Sequence, residues 1–376
     1  MNKNKASQGV RWEQIAADVR QSIDQGQLAP GTRLPSETEL AEQYSVCLMT
    51  AHRAMHELQT QGLVERRRHL GTVVAARALR RTGRIGVLAY AVDEFLNASY
   101  LRGLREGLPP EFQLLLCDTQ GRAEVEAEFL KKMREDADAI VCFLSSEMGN
   151  DDLLKSIVAA GIPLVCLDRA APGTEADAIV SDNYGASVEA MRILVARGHR
   201  RIAHFTDHRW NISSIRERYE AHRDVMEEIG EPNSEQWVRF FASFAVGADH
   251  YFQHLCQTVH DALFTLMRQE EPPTAIFCMN DAYMAAVIEA CRKLRIEVPG
   301  QLEIVSFNDH PPQYLPLPCP VLRIVQQPRA MGVLAGQRVV RRLAGEVLAP
   351  EMLRVAAQLD DMVMAKSKSQ VSILSN

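Results

Sequence analysis

The sequence predicts a mixed α/β protein in two parts: a small α+β head of three helices closed by a β-hairpin, then a large α/β body with parallel sheets. Three observations predict it. A helix-capping signature and a basic hairpin fall within the first 76 residues. From residue 83 onward, short apolar runs alternate with amphipathic stretches, the pattern of a parallel sheet covered by helices. The charge is also divided unevenly: residues 1–82 hold 12 Lys/Arg against 8 Asp/Glu and stand at +4, whereas the whole chain stands at −6. A basic head on an acidic body is the asymmetry expected when the head alone meets phosphate.

In the head, Ile15, Val19 and Ile23, with Ala16 beside them, recur at helical spacing and mark a first helix that Gly26 closes. Leu28-Ala29-Pro30-Gly31 is a turn. In Pro35-Ser36-Glu37-Thr38-Glu39, Ser36 caps a second helix while Glu39 reaches back to the Ser36 amide, a capping box ahead of Leu40 and Ala41. Tyr44-Ser45-Val46 breaks the chain before a third helix, Thr50 to Gln61, with Met55 and Leu58 apolar and His52, Arg53 and His56 on its other faces. Two helices across so short a turn fit a helix-turn-helix. Gly62 ends the third helix, and Leu63 to Val74 reads as a hairpin, or wing, whose tip carries Arg66, Arg67 and Arg68. A charge run alone is usually a solvated turn. Behind a recognition helix, the same guanidiniums are placed to clamp phosphate or enter a minor groove.

In the body, the strand candidates are Ile85 to Tyr90, Gln113 to Cys117, Ala139 to Leu144, Pro163 to Leu167, Arg201 to Phe205, Ala275 to Cys278 and Glu303 to Phe307. Helical stretches such as Tyr100 to Gly107, Val125 to Glu135 and Gly185 to Ala196 lie between them. Ligands of open parallel sheets bind beyond the carboxyl ends of the strands, so the polar residues found there are the ligand candidates. They are Asp93 and Phe95 after the first strand, Ser145 and Ser146 after the third, Asp168 and Arg169 after the fourth, Asn280 and Asp281 after the sixth, and Asn308 and Asp309 after the seventh. Asp182-Asn183 and Asn280-Asp281 also read as helix caps, and His199 as a structural histidine.

Composition excludes several classes of function. With 47% hydrophobic and 24% charged residues, no long stretch is expected to be disordered. Met1 to Val10 has no apolar core of a signal peptide, and no run approaches the roughly 20 apolar residues of a membrane span, so a cytoplasmic protein is expected. Cys117, Cys142, Cys166 and Cys278 lie in strand-like runs and read as buried, reduced thiols. No CxxC or Cys/His cluster points to a metal. No nucleophile elbow, phosphate-cradling glycine loop or catalytic carboxylate pair stands out, so neither an enzyme nor a cofactor is expected.

Arg33-Leu34-Pro35-Ser36-Glu37, Leu40-Ala41, Thr50, Leu58, Gly62-Leu63-Val64 and Gly71-Thr72 together resemble the GntR-type winged helix-turn-helix. The resemblance covers residues 1–76 and implies that Arg33, Ser36, Thr50, Arg53 and Gly71 lie at DNA, with His52 at a position where such domains often have Arg. Where the family usually reads Gly-Val-Ser-Arg, this chain has Ser45-Val46-Cys47-Leu48. Ser45 suits a left-handed turn less well than Gly, Cys47 caps less well than Ser by about 1 kcal/mol, and Leu48 lacks a contact worth about 1–3 kcal/mol of base discrimination.

Beyond a basic linker, 77–82, the segments Arg84-Ile85-Gly86-Val87, Gly161-Ile162-Pro163, Ser181-Asp182-Asn183, Gly198-His199-Arg200-Arg201-Ile202, Pro273 to Asp281, Ile304 to Asp309 and Gln326-Gln327-Pro328 resemble the effector domain of LacI/GalR regulators, itself similar to periplasmic sugar-binding proteins. The resemblance covers 83–366 and leaves 367–376 as a tail. It implies two lobes with three crossovers near Asp182, Leu322 and Gly345: lobe 1 from about 83–182 and 323–345, lobe 2 from about 183–322 and 346–366. The implied cleft adds Tyr100, Arg218, Gln327 and Trp210, with Asn308 where the family usually has Asp. Arg offers forked hydrogen bonds to vicinal hydroxyls, and Phe95 or Trp210 offers an aromatic face to a sugar ring. The combination is similar to arabinose-repressor-like regulators. It implies a homodimeric repressor that binds double-stranded DNA at a palindromic operator and is released by a small molecule, most simply a sugar. A nucleoside or purine effector and a co-repressor or activator role are the alternatives, and a carbohydrate-active enzyme or a plain sugar-binding protein the remote ones.

Overall fold

The computed structural model of the chain describes residues 6–24, 27–29, 31–60, 63–67, 70–74, 82–90, 92, 95–144, 149–171, 173–231, 233–242, 251–308 and 317–362. Three helices, α1 (Ala6–Asp24), α2 (Glu37–Gln43) and α3 (Leu48–Thr60), enclose the core of the head. Ile15, Ala16 and Val19 from α1 bury against Ala51, Ala54, Met55 and Leu58 from α3, with Leu40 from α2. The expected capping box is present: Ser36 Oγ accepts the Glu39 N–H at 3.2 Å, and the Glu39 carboxylate accepts the Ser36 N–H at 2.7 Å. Ser45 takes the left-handed conformation, φ 51°, that a glycine adopts without cost. The wing is an antiparallel pair, β1 (Val64–Arg67) and β2 (Gly71–Val74), with Val64 opposite Val74 and Arg67 opposite Gly71.

The body begins with β3 (Arg84–Ala89), α4 (Phe95–Gly107), β4 (Gln113–Asp118), α5 (Ala123–Asp136), β5 (Ala139–Phe143), α6 (Asp151–Ala159), β6 (Leu164–Leu167) and β7 (Asp177–Ser181). It continues with α7 (Asn183–Ala196), β8 (Ile202–Asp207), α8 (Ser213–Glu228), β9 (Val238–Phe241), α9 (Tyr251–Leu266), β10 (Ala275–Cys278), α10 (Asp281–Leu294), β11 (Glu303–Asn308) and β12 (Leu322–Val325). It ends with α11 (Pro328–Leu343), β13 (Met352–Val355) and β14 (Gln358–Asp361).

These strands form two sheets of the same design. One runs β13-β7-β6-β5-β3-β4, all parallel; the other runs β14-β12-β11-β10-β8-β9, parallel except for β14. In each, strand order reverses at the first strand, β3 or β8, and that reversal opens a crevice at the carboxyl ends. Runs such as Ala139–Phe143 and Ala275–Cys278 are buried throughout, because helices cover both faces of a parallel sheet.

The crossovers differ from those expected. β12 lies in the second sheet, so the chain returns to the first lobe after Val325, not near Leu322. β13 then joins the first sheet and β14 the second, which puts the last crossing between Val355 and Gln358 rather than near Gly345. The reason is physical: Leu322–Val325 is a wholly buried run that completes the sheet beside β11, and Gly345, φ 82°, follows the end of α11 without leaving the lobe.

Helix α11 is held to the first lobe by close helix packing and by charge. A Cβ at Gly103 would come within 2.0 Å of Arg329 O, and one at Gly332 within 2.2 Å of Tyr100 O, so α4 and α11 meet backbone to backbone. Asp177 at the start of β7 accepts from Arg338 Nη2 and from Arg342 Nε, each at 2.8 Å. Burial would raise the Asp177 carboxyl, but the two guanidiniums outweigh it and hold its pKa below the usual range.

Candidate functional site

In the head, the inward face of α3 is consumed by the core, and helical spacing turns Leu48, Met49, His52 and Arg53 outward. Thr50, expected at DNA, is buried instead, its hydroxyl 3.1 Å from Cys47 Sγ. This contact lowers the Cys47 thiol pKa through side-chain and then backbone hydrogen bonding with Thr50, so Thr50 organises the helix start rather than reaching out. Arg53 is exposed and lies 4.6 Å over the Trp12 ring. Ser36 spends its acceptor on the capping box. Arg33 bridges to Val73, its guanidinium beside Gly71, which takes a left-handed turn at φ 83°.

Glu37 is a residue that sequence reasoning missed, although it stands in the capping segment. Its carboxylate takes His52 Nδ1 at 3.0 Å and pairs with Arg66, joining the outward face of α3 to the wing. Arg67 pairs with Glu65. Arg68 lies outside the described residues.

In the first lobe, Asp168 follows β6 in a left-handed conformation, φ 67°, and is almost fully buried. Tyr100, expected to touch ligand, is fully buried and donates its hydroxyl to Asp168 Oδ1 at 3.2 Å. Its role is therefore to position Asp168 from below, because α11 closes over it. Arg169 lies 3.7 Å from the Asp168 carboxylate, donates to Leu144 O at 3.2 Å and stacks over Tyr90 at 5.3 Å. Asp93 and Ser145 lie outside the described residues, as do Ser146, Asp309 and the side chains of Phe95 and Asn308.

In the second lobe, Arg218 is buried at 6% exposure near the start of α8. Its Nε and Nη2 donate to Asn183 Oδ1 at 3.0 and 2.9 Å, its Nη1 donates to Met279 O at 2.8 Å, and its guanidinium lies 3.7 Å from the centre of the Phe307 ring. Asp182-Asn183 is expected either to cap α7 or to touch ligand; Asp182 makes the cap, and Asn183 holds Arg218. Asn280 is the cap of α10, its Oδ1 accepting from Ala282 and Tyr283 N–H, which leaves it less free for ligand than expected. Trp210 is exposed on an aromatic cluster with Tyr219 at 4.7 Å and Phe240 at 5.6 Å.

The crossovers are stitched together beside these groups. Ser181 Oγ donates to Gln326 Oε1 at 2.7 Å, Asp182 N–H donates to Val355 O at 2.9 Å, and Arg354 on β13 forms a two-pronged pair with Glu217 on α8, each contact 2.9 Å. Gln327 stands at the cap of α11, its amide 3.4 Å from Val325 O. His199 is structural, as expected: Thr274 and Glu303 hold its two ring nitrogens at the amino ends of β10 and β11, the far side of the sheet from the site.

Comparison with known proteins gives two domain matches. Residues 11–74 match the family of bacterial regulatory proteins called the gntR family, and residues 191–361 match the periplasmic binding protein-like domain. The chain is 24% identical over 309 residues to the arabinose metabolism transcriptional repressor of Geobacillus stearothermophilus, covering 80% of this chain and 82% of that protein. Among solved structures, the transcription regulator CcpA of Lactococcus lactis superposes with a TM-score of 0.63 at 18% identity, over 75% of this chain and 98% of that one. A complex of the transcriptional regulator CelR with cellobiose gives 0.62 at 19% identity, over 87% and 98%. At such identities the structural likeness is one of fold.

Proposed function

The chain joins a gntR-type helix-turn-helix domain to a two-lobed, periplasmic-binding-protein-like domain, and from that union we propose a DNA-binding transcriptional repressor whose hold on its operator is set by a small molecule in the body. The observation that carries the switch is the tether of Arg218. A ligand group that engages this guanidinium bears on Asn183, and Asn183 sits two residues past Ser181, where the lobes are laced together. Binding energy at the cleft therefore reaches the hinge directly, and a ligand that favours one lobe arrangement shifts the population of that arrangement.

The effector is of the sugar class. Support comes from the Asp168 carboxylate beside the Arg169 guanidinium in the first lobe and from the Arg218 guanidinium in the second, groups that suit hydroxyls which both donate and accept, and from the exposed Trp210. The cellobiose of the CelR complex lies in the same fold. The relative is a regulator and not an enzyme, and these groups bind without requiring chemistry. Two copies on a palindromic operator turn a hinge motion into a change in the spacing of two heads.

The test is a thermal-shift screen of the full chain against pentoses, hexoses, disaccharides and nucleosides, followed by DNA titrations with each ligand that raises the melting temperature. The expected result is one sugar that stabilises the protein and weakens its hold on a selected palindromic duplex. Stabilisation by nucleosides alone would replace the sugar assignment, and a stabilising ligand without effect on DNA binding would overturn the switch.

A further inference from the structure

Among the described residues of the head, the large exposed hydrophobic side chains are confined to two elements. Leu48, 53% exposed, and Met49, 72% exposed, open α3, and Leu70, 55% exposed, occupies the hairpin turn. A solvated helix start favours Ser, Asp or Glu, which satisfy free N–H groups and complement the helix dipole. A Leu-Met pair does neither. The two side chains are also not needed inside, because Ala51, Ala54, Met55 and Leu58 already fill the inward face of the helix.

What surrounds the pair defines what it fits. Arg53 lies one turn further along α3, Arg66 and Arg67 stand on the wing, and Arg33 lies beside Gly71. An apolar protein surface would strand those guanidiniums, whereas a duplex supplies phosphates for them and base edges for the apolar pair. On the major-groove edges, guanine offers acceptors that neither Leu nor Met can satisfy. Thymine offers a 5-methyl group, the apolar element of that edge.

We propose that Leu48 and Met49 read thymine 5-methyl groups in the major groove, so that each operator half-site carries T·A pairs beneath the start of α3. The inference rests on the DNA-binding function proposed above and adds the base class that the recognition helix selects.

The full chain is used to select duplexes from a random pool, and the best duplex is resynthesised with uracil in place of thymine, one position at a time. Loss of the methyl at one or two positions per half-site weakens binding about fourfold each, about 0.8 kcal/mol. Leu48→Ala and Met49→Ala bind the thymine duplex more weakly and no longer distinguish it from the uracil form. Leu48→Arg moves the selected base toward guanine. Both side chains are exposed, so these variants keep the melting temperature of the parent. Tight binding with uracil tolerated at every position overturns this inference and leaves the proposed function standing. Retention of no duplex by the unaltered protein at low ionic strength overturns both. A change in the sedimentation of Leu48→Ala without DNA assigns the pair to a contact between heads and overturns the thymine reading.

Discussion

Arg218 has three donors committed within its own lobe, two to Asn183 and one to Met279. Truncating it removes the donors from a buried amide oxygen and a buried carbonyl, at a cost of about 1–3 kcal/mol. On the proposed mechanism it also cuts the link from ligand to hinge. Arg218→Ala is therefore expected to bind a selected operator duplex normally while losing the effector response, a coupling of about 1–3 kcal/mol in switches of this kind. Titration of the duplex with and without effector reads it directly; an undiminished response would place the coupling elsewhere.

A second residue-scale effect lies in the core of the same lobe. His204 and His222 stack at 5.2 Å, each with one ring nitrogen on a backbone carbonyl, and leave His204 Nε2 and His222 Nδ1 without a hydrogen-bond partner. Burial pushes both pKa values down, that of His222 to about 4, and the neighbouring ring adds to the fall at His204. A depressed histidine pKa means that the unfolded chain takes up the proton first as pH drops. The associated stability is complete above about pH 6.5 and is lost as pH falls toward 4, about 3 kcal/mol for His222 alone. Urea midpoints measured between pH 7.5 and 4.5 should fall steeply for the parent and less so for His222→Gln. Parallel slopes for the two proteins would count against this account.

At the scale of elements, the crossing of α4 with α11 is the least forgiving packing in the first lobe. A methyl group at Gly332 has no room, with Tyr100 O at 2.2 Å and Leu104 N at 2.7 Å. Gly332→Ala is expected to cost about 1–3 kcal/mol and to lower the melting temperature by several degrees, whereas Gly121→Ala, with nothing within 4 Å of the added carbon, strains only its left-handed turn. The same element shows why some of the fold was readable in the sequence and some was not. Strands buried on both faces, such as Ala139–Phe143, announce themselves as continuous apolar runs. β7 opens on Asp177, whose charge is answered by Arg338 and Arg342 from α11, a pairing invisible to local pattern. β13 and β14 lie at sheet edges with only partly buried side chains, so no strong alternation marked them, and the last crossover was misplaced accordingly. At the candidate site, Asp168 and Arg169 are legible because charge just beyond a strand end is conspicuous, whereas Arg218, within α8, is expected only from the family resemblance. Tyr100 and Asn183 were misjudged because their roles depend on partners 68 and 35 positions away.

At the scale of the whole molecule, the +4 of residues 1–82 is set against −10 in the remainder, so attraction to DNA must be local to the head and opposed by the body. Of the five exposed guanidiniums of the described head, those of Arg33, Arg53, Arg66 and Arg67 lie on or beside α3 and the wing, and Arg20 lies on α1. If two heads engage one operator, about eight phosphate contacts release counterions, and the logarithm of the affinity falls with the logarithm of salt at a slope of about −7. Between 50 and 200 mM salt, that is a loss of about 10⁴ in affinity, measurable by fluorescence anisotropy. Arg66 is a special case, because Glu37 holds it in the free protein and also receives His52 from the outward face of α3. A phosphate that captures Arg66 releases Glu37 beneath the recognition helix. Arg66→Ala should therefore flatten the salt slope by about 2 per pair of heads, while Glu37→Gln, which frees both partners, should tighten binding without steepening it. A salt slope near zero, with binding retained, would place the DNA contacts on a surface other than the wing and the outward face of α3.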